Sequence, residues 1–364
     1  ATSAGLKTHF LCLETLEGKY VMVVSIKTEL CDLLGIKYPI IQAGLGPYCT
    51  VNLAAAVSNA GALGTISIPG MTVGPEIASE KIREYMHAVK KKTKNNFAIN
   101  TPVGEHVPEI MLKTTDAYID TVIEEREKDP DLKRRLLLYI TSAGSPARYH
   151  KKIKDSGMLH FHVVPSAYHA KKMEKMGLDG VIASGYEAGG HTHLPNRAVH
   201  TFVLIPSVTD SVKIPVVAAG GMCDAKTLVA ALALGAQGIQ MGTRFLATQE
   251  SDFHINYKKF IVESGEWSDM VAPGVYGPAR CLRNKGAEEI IKLEAEGSLP
   301  EEELNKLKDQ RLWASERDGD VVNGLVSAGQ VVSRINNIPS VSEVIENIIC
   351  EAAEIIKKLN GVLK

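Results

Sequence analysis

Three observations predict that this chain is an α/β protein, a (β/α)8 TIM barrel with a smaller second domain or excursion after the eighth strand. Short apolar runs alternate with longer helical segments from about residue 37 to residue 245. Eight such runs occur, which is the number of strands that closes this kind of barrel. Several runs end in glycine directly before a helical segment, as strands of βαβ units do.

The eight runs are the predicted barrel strands. Their apolar character on both faces is typical of a parallel sheet that helices cover. In chain order the runs are 38–43, 62–67, 97–100, 136–141, 159–164, 180–183, 215–219 and 238–241. The predicted helices between and beside them are 52–59, 75–91, 107–129, 146–155, 167–176 and 225–234.

The alternation ends after residue 245. Residues 257–287 mix glycine, proline and arginine irregularly, residues 286–318 are charged and favour helix, and residues 341–359 have the apolar spacing of an amphipathic helix. We therefore predict four parts, of which the third is a lid or substrate domain and the fourth a closing helix. They are residues 1–24, an N-terminal extension or leader, and then 25–250, 251–330 and 331–364.

Composition excludes several classes of partner. The 364 residues are 45% hydrophobic and 23% charged with a net charge of −1, which predicts a small-molecule substrate and argues against nucleic acid and anionic membranes. No apolar run approaches the roughly 18 residues of a membrane span. The six cysteines show no Cys-x-x-Cys spacing, so we expect no metal site and a cytoplasmic protein. The sequence leaves open whether the protein forms a homodimer.

The segment from Gly185 to His191 is the strongest functional signal. It follows the predicted strand 180–183 directly and carries one histidine in a glycine turn, which suits proton transfer beside a flat ligand. The next two strands also end in glycine, at Gly220 and Gly242. Backbone N–H groups at such strand ends form anion pockets, and in barrels these commonly follow strands seven and eight.

Several nearby side chains allow two interpretations. Glu187 is either an acid catalyst or, as we favour, a carboxylate that holds backbone N–H groups. Arg244 binds a phosphate or anchors its loop, and the sequence does not decide. His160 and His162 share one face of a strand, but no third metal ligand is evident, so we favour core or barrel-lining histidines. We expect His193 to be a pocket wall.

Five segments carry a resemblance to a known family. They are 39–43 (PIIQA), 97–100 (FAIN), 187–191 (EAGGH), 218–221 (AAGG) and 240–245 (QMGTRF). Taken in this order they resemble the nitronate monooxygenase family, formerly called 2-nitropropane dioxygenase. That family also includes FMN-dependent enoyl-ACP reductases and NADH:quinone reductases.

The resemblance implies FMN at the carboxyl ends of the strands of residues 25–250 and a smaller domain over the site. His191 would face the flavin as the acid or base. The residues implied in phosphate binding are Gly220, Gly221, Gly242 and Thr243. The remaining cofactor contacts implied are Ala43, Gly44 and Leu45 along the ring edge, Asn100 and Gln240 as hydrogen-bonding groups, and Gly189 and Gly190 in the catalytic loop.

The expected function is therefore that of an FMN-dependent oxidoreductase. We place first the oxidation of alkyl nitronates or nitro compounds by O2 with His191 as acid/base. The alternative is NAD(P)H-dependent reduction of an enoyl thioester (enoyl-ACP or enoyl-CoA) or a quinone, and a second alternative is a barrel that binds a phosphorylated ligand without catalysis. Residues 43–46 read Ala-Gly-Leu-Gly where many members have Ala-Pro-Met, which leaves the substrate open.

Overall fold

A computed structural model describes residues 7–14, 20–104 and 107–362 of the chain. Of the predicted N-terminal extension, residues 1–6 and 15–19 lie outside the described residues. The described strands are β1 (Lys7–Glu14), β2 (Tyr20–Lys27), β3 (Ile40–Gln42), β4 (Gly64–Ser67), β5 (Phe97–Pro102), β6 (Leu136–Ser142), β7 (Leu159–Val164), β8 (Gly180–Ser184), β9 (Gly190–His191), β10 (Val216–Ala219), β11 (Gly238–Met241), β12 (Asp269–Gly274) and β13 (Gly277–Leu282).

The helices alternate with the strands up to β11 and then continue beyond it. They are α1 (Glu29–Leu34), α2 (Val51–Asn59), α3 (Pro75–Lys92), α4 (Glu109–Lys128), α5 (Pro130–Arg135), α6 (Ala147–Asp155), α7 (Ala167–Met176), α8 (Thr201–Thr209), α9 (Ala225–Ala233), α10 (Thr243–Leu246), α11 (Ile255–Glu263), α12 (Lys285–Glu296), α13 (Glu301–Glu316) and α14 (Val341–Asn360). In the described residues, none of these helices combines the length and the apolarity that crossing a bilayer requires.

Eight parallel strands form the barrel, which confirms the predicted fold class. The hydrogen-bonded order is β3-β11-β10-β8-β7-β6-β5-β4. A parallel bridge between Ile41 and Leu63 joins β3 to the residue before β4, and the Gln42 N–H donates to the Leu63 carbonyl at 2.9 Å. This bridge connects the two ends of the sheet and so closes the barrel.

Side-chain alternation along the strands separates the barrel interior from the helix layer. Val217 and Ala219 of β10 belong to the interior cluster, while Val216 and Ala218 pack with the outer helices. Leu30 and Leu34 of α1 join the interior cluster, so this short helix covers one end of the barrel. The active-site end is therefore the opposite one, where the carboxyl ends of the strands meet.

The segment after β11 is more regular than the sequence predicts. Residues 257–287 were expected to be irregular, but they contain the end of α11 and a β12–β13 hairpin. Pro273 and Pro278 face each other across the hairpin, and Gly277 at its turn has a φ of 102°. Proline is tolerated in a strand at positions that need no N–H. The sequence interpretation was wrong here because it took these prolines as a sign of irregular structure.

The predicted closing helix is α14. Ser340 and Glu343 form a capping box at its start, which satisfies N–H groups that the first turn leaves free. Its apolar face packs on α9 and α2, and Ile26 at the end of β2 is buried in the same cluster. The helix thereby covers the first and last units of the barrel on their outer side.

Candidate functional site

A cavity of about 880 Å³ lies at the carboxyl ends of the barrel strands. Its walls come from the loops after the strands and from the segment that follows β11. All the residues predicted for the site line this one cavity: Ala43, Gly44, Leu45, Asn100, Gly189, Gly190, His191, Gly220, Gly221, Gln240, Gly242 and Thr243. A volume of this size is in the range of cofactor and ligand pockets.

His191 is held by residues that lie about ninety positions later in the chain. Its strand β9 pairs with β13, so that Ala279 stands opposite His191 and Arg280 opposite Gly190. The Thr192 N–H donates to the Pro278 carbonyl at 2.9 Å. The loop that carries His191 is therefore one edge of a small three-stranded sheet, and its backbone position is set by the post-barrel hairpin.

Arg280 holds the same loop through an ion pair and hydrogen bonds. It forms an ion pair with Asp269, and its Nε and Nη2 donate to the Tyr186 carbonyl at 3.2 and 2.9 Å. The guanidinium also lies over the Tyr186 ring, 4.6 Å from its centroid. Because Arg280 is buried, this contact set ties the start of the glycine loop firmly to the hairpin.

A second loop packs against the glycines that precede His191. A Cβ on Gly189 would lie 2.5 Å from the Ala328 carbonyl carbon, so only glycine fits there. The Gln330 N–H donates to the Glu187 carbonyl at 3.0 Å, and the Gly329 N–H donates to the Thr243 hydroxyl at 2.9 Å. The loops after β8 and β11 are thus joined through residues 327–330.

The imidazole of His191 faces the cavity on one side and contacts protein on the other. The side chain lines the cavity, and the ring of Tyr276 meets it edge to face at a centroid distance of 5.3 Å. The side chain remains accessible to solvent, and desolvation by the surrounding cavity walls lowers the pKa of His191 to about 4. The ring is therefore neutral at pH 7 and can accept a proton.

Glu187 is hydrogen-bonded to neighbouring groups and does not face the cavity as an isolated acid. Its carboxylate accepts the Thr201 N–H at 3.0 and 3.1 Å and the Thr201 hydroxyl at 2.8 Å. Thr201 begins α8, where an anionic group meets unpaired N–H groups. The prediction that Glu187 holds backbone N–H groups is confirmed.

The glycine turn after β10 has the geometry of an anion pocket. Gly220 and Gly221 adopt φ values of 77° and 78°, and a Cβ on Gly220 would lie 2.7 Å from the Gly185 carbonyl oxygen. The next residues lead into α9, whose capping box uses Asp224. Within the part of the chain that the structure describes, the N–H groups of Gly221 and Met222 bind no oxygen.

Two amide side chains stand at the ends of β5 and β11. Gln240 is buried in the cavity wall, and its Nε2 has no hydrogen-bond partner among the described residues. Asn100 lies against Gly44, where a Cβ would come within 2.2 Å of the Asn100 Oδ1. Gln240 therefore offers a free donor to a ligand, and Gly44 is required by the position of Asn100.

Arg244 anchors its loop. Nη1 donates to Asn337 Oδ1 at 3.0 Å, and Nη2 donates to the carbonyls of Ala247 and Asn337 at 2.5 and 2.8 Å. These partners are neutral oxygens, so Arg244 anchors its loop through hydrogen bonds and not through a salt bridge. The alternative that Arg244 contacts a phosphate has no support in this geometry.

Tyr276 and Glu316 are among the cavity-wall residues that the sequence interpretation did not identify. Tyr276 comes from the β12–β13 turn, and Glu316 ends α13 as a buried carboxyl group that accepts the Tyr48 N–H at 2.8 Å. Burial raises the pKa of Glu316 well above its usual value. Nothing near either residue in the chain signals this position, because both reach the site only through the packing of the post-barrel segment.

The comparisons with known proteins agree with this architecture. The family model described as nitronate monooxygenase matches residues 27–351. A probable nitronate monooxygenase from Staphylococcus aureus strain MSSA476 is 29% identical over 91% of this chain and 99% of its own length. Another, from strain MRSA252, is 30% identical over 81% of this chain and 88% of its own.

Solved structures place the fold in the same group. FabK from Thermotoga maritima is 34% identical, covers 93% of this chain and 100% of its own, and has a TM-score of 0.79. A nitroalkane oxidase from Streptomyces ansochromogenes has a TM-score of 0.76 over 91% of this chain and 100% of its own, and its 24% identity shows the fold alone. The chain is a flavin-type oxidoreductase enzyme and belongs to the nitronate monooxygenase family.

Proposed function

We propose that this protein oxidises alkyl nitronates, and the nitroalkanes from which they form, with O2, using FMN and His191. The observation that carries the proposal is the position of His191, whose strand β9 is held by β13 and whose side chain lines the same cavity as the glycine turns. A base of this kind is what removal of a proton next to a nitro group requires. Membership of an enzyme family argues against the binding-only alternative.

The residues present fit FMN. The free N–H groups of Gly221 and Met222 suit its phosphate, together with Gly220, Gly242 and Thr243. The unpartnered Nε2 of Gln240 suits a carbonyl oxygen of the flavin ring, with Asn100 beside it. The backbone of residues 43–45, along with Gly189 and Gly190, would follow the ring. When bound, FMN supplies the electron-transfer chemistry that no side chain here offers.

His191 carries the proton chemistry of the proposal. A neutral nitroalkane loses its α-proton to a free nitrogen of the imidazole, which leaves a nitronate in the cavity and a cation on the ring. Positioned bases typically contribute about 10²–10⁴-fold to such a step. A nitronate supplied directly has already lost that proton and does not need the base.

The second candidate is NAD(P)H-dependent reduction of an enoyl thioester or a quinone. It is favoured by the similarity to FabK, an enoyl-ACP reductase, at 34% identity over nearly the whole chain. In that reaction His191 would give a proton to the substrate. We place this candidate second because the matching family model and the curated relatives are described as nitronate monooxygenases.

The test mixes the FMN-loaded protein anaerobically with an alkyl nitronate, NADH or NADPH and follows the absorbance of the oxidised flavin. We expect bleaching by the nitronate and none by either nicotinamide. Rapid bleaching by NADH or NADPH alone would instead support the reductase. In air, His191→Ala should lose turnover of neutral nitroethane while keeping that of ethyl nitronate, and equal loss of both would refute the assigned role of His191.

A further inference from the structure

One face of helix α13 forms part of the cavity wall. Lys308, Leu312 and Glu316 follow one another at intervals of four residues, so their side chains share this face, and all three line the cavity. Lys308 is already paired, since its Nζ donates to the Gly274 carbonyl at 3.1 Å and to a carboxylate oxygen of Glu294 at 2.7 Å. The charge of Lys308 is thus matched within the protein, which leaves Glu316 as the polar group of this face to account for.

The carboxyl group of Glu316 is buried with a single partner. The residue is 1% exposed, and its Oε2 accepts the Tyr48 N–H at 2.8 Å. Among the residues that the structure describes, no other group hydrogen-bonds to this carboxyl group and no basic side chain forms an ion pair with it. The last turn of α13 contains no basic residue, and the C-terminal end of a helix disfavours negative charge. A carboxylate would be unfavourable in this setting, so the group is a neutral carboxylic acid.

A neutral carboxylic acid has one O–H donor to satisfy. Burial raises the pKa of Glu316 well above its usual value, and the neighbouring Asp309 adds to the increase, although the bond from Tyr48 opposes it. A buried donor normally has an acceptor, and within the described part of the chain no protein oxygen accepts from Glu316. Because the side chain lines the cavity, a ligand there can supply that acceptor.

The cavity wall is continuous between this carboxyl group and His191. The N–H of the residue before α11 donates to the last backbone carbonyl of α13 at 2.7 Å, and Tyr257 of α11 donates its hydroxyl to the Ser327 carbonyl at 2.8 Å. Ser327 bridges to Cys281 of β13, and Ala279 of the same strand stands opposite His191. Tyr257, Ser327, Cys281 and Ala279 all line the cavity. The carboxyl group and His191 therefore face one ligand space.

We propose that Glu316 donates a hydrogen bond from its carboxylic acid to a nitro oxygen of the substrate. The proposal rests on the proposed function, which supplies the nitro group as the acceptor. Nitro oxygens accept hydrogen bonds and those of a nitronate carry negative charge, so a neutral acid attracts them whereas a carboxylate would repel them. Leu312, one turn earlier on the same face, offers apolar surface to the alkyl part of the substrate.

The first test is infrared spectroscopy of the FMN-loaded protein at pH 7, which detects the C=O stretch of protonated carboxyl groups. The band of Glu316 is the one that disappears in Glu316→Gln. The probe is 2-methyl-2-nitropropane, a nitroalkane without an α-proton, which His191 cannot deprotonate. We expect the probe to shift the Glu316 band, because the acid then donates to a nitro oxygen.

Three outcomes of this test would overturn the proposal. The first is that the native protein has no protonated carboxyl band that depends on Glu316. The second is that such a band exists and the probe leaves it in place. The third is that FMN shifts the band when it is added to the FMN-free protein and the probe causes no further shift, which would make the flavin the acceptor.

The second test measures the dissociation constant of the same probe by titration of the flavin absorbance. Glu316→Met keeps the length of the side chain but removes the donor, and we expect the dissociation constant to rise by at least about threefold. Glu316→Gln is the matched control, since an amide is neutral, can accept from Tyr48 and can donate to the ligand. It should stay within about twofold of the native value, and both variants should bind FMN within about twofold of it. Native affinity for the probe in Glu316→Met, or equal weakening in both variants, would contradict the assigned role.

These results are separable from the proposed function because neither test requires turnover. If the native protein oxidises neither nitroethane nor ethyl nitronate while the Glu316 band responds to the probe, the proposed function fails and the donor role stands. If it oxidises both while the band does not respond, the donor role alone is refuted.

Discussion

Arg280 allows a quantitative test of how the hairpin positions His191. Arg280→Met removes one partner of a buried ion pair and leaves the Asp269 carboxylate, whose side chain is 11% exposed, without its cation. Loss of one partner of such a pair costs about 3–5 kcal/mol. The two hydrogen bonds to the Tyr186 carbonyl disappear as well, so we expect the loop that carries His191 to open more easily.

The expected effect is local and can be measured by hydrogen exchange. A cost of about 3–5 kcal/mol corresponds to about two to three and a half powers of ten in an opening equilibrium. Mass spectrometry should show that much faster deuterium uptake in peptides covering residues 186–194, which include the Thr192 amide bound to Pro278. Peptides from α1, which covers the opposite end of the barrel, serve as the internal reference.

A double variant separates the two causes. Arg280→Met combined with Asp269→Asn removes the unpaired charge, so its remaining cost should fall to about 1–2 kcal/mol for lost hydrogen bonds. If the single variant accelerates exchange less than about tenfold, or if the double variant exchanges as fast as the single one, the ion pair does not hold the loop.

Three further outcomes follow from the geometry. Gly44→Ala places a Cβ 2.2 Å from Asn100 Oδ1 and 2.8 Å from Asn100 Cβ, and should weaken FMN binding measured by fluorescence titration; unchanged binding would contradict the requirement for glycine at this position. Between acid and neutral pH the rate of nitroethane oxidation should rise with a midpoint near pH 4 and level off about two units higher, because His191 is half neutral at its pKa and almost wholly neutral two units above it; a midpoint near 6.5 would contradict this. The unfolding free energy should fall as pH drops from 6.5 towards 3, since unfolded His160 takes up a proton that the folded protein refuses until its pKa of about 3. Urea titrations at several pH values should show that the unfolding free energy of His160→Gln depends less on pH.

Much of the barrel follows from local sequence. The eight apolar runs became the eight strands with ends shifted by at most two residues, because burial on both faces of a parallel strand leaves a contiguous apolar signal. The glycines at 220 and 221 were also predictable, since positive φ at a strand end strongly favours glycine. His191 was found for the same reason, as part of a short glycine loop that follows a strand.

The partners of these residues were not predictable in the same way. The strand pairing of His191 with Ala279, the edge contact from Tyr276 and the buried carboxyl of Glu316 all come from the segment after β11. That segment was predicted to be irregular because Pro273, Gly277 and Pro278 are usually breakers, yet the hairpin places them where no ladder N–H is needed.

The sequence by itself therefore determined the barrel, the order of its strands along the chain and the residues at the strand ends, because those depend on periodicity and on backbone freedom. Only the tertiary structure decided the state of the site. The place of His191 in the cavity wall, its strand pairing with β13 and the anchoring role of Arg244 depend on contacts between distant segments. Such contacts leave no local pattern, since each partner is an ordinary residue in its own stretch of chain.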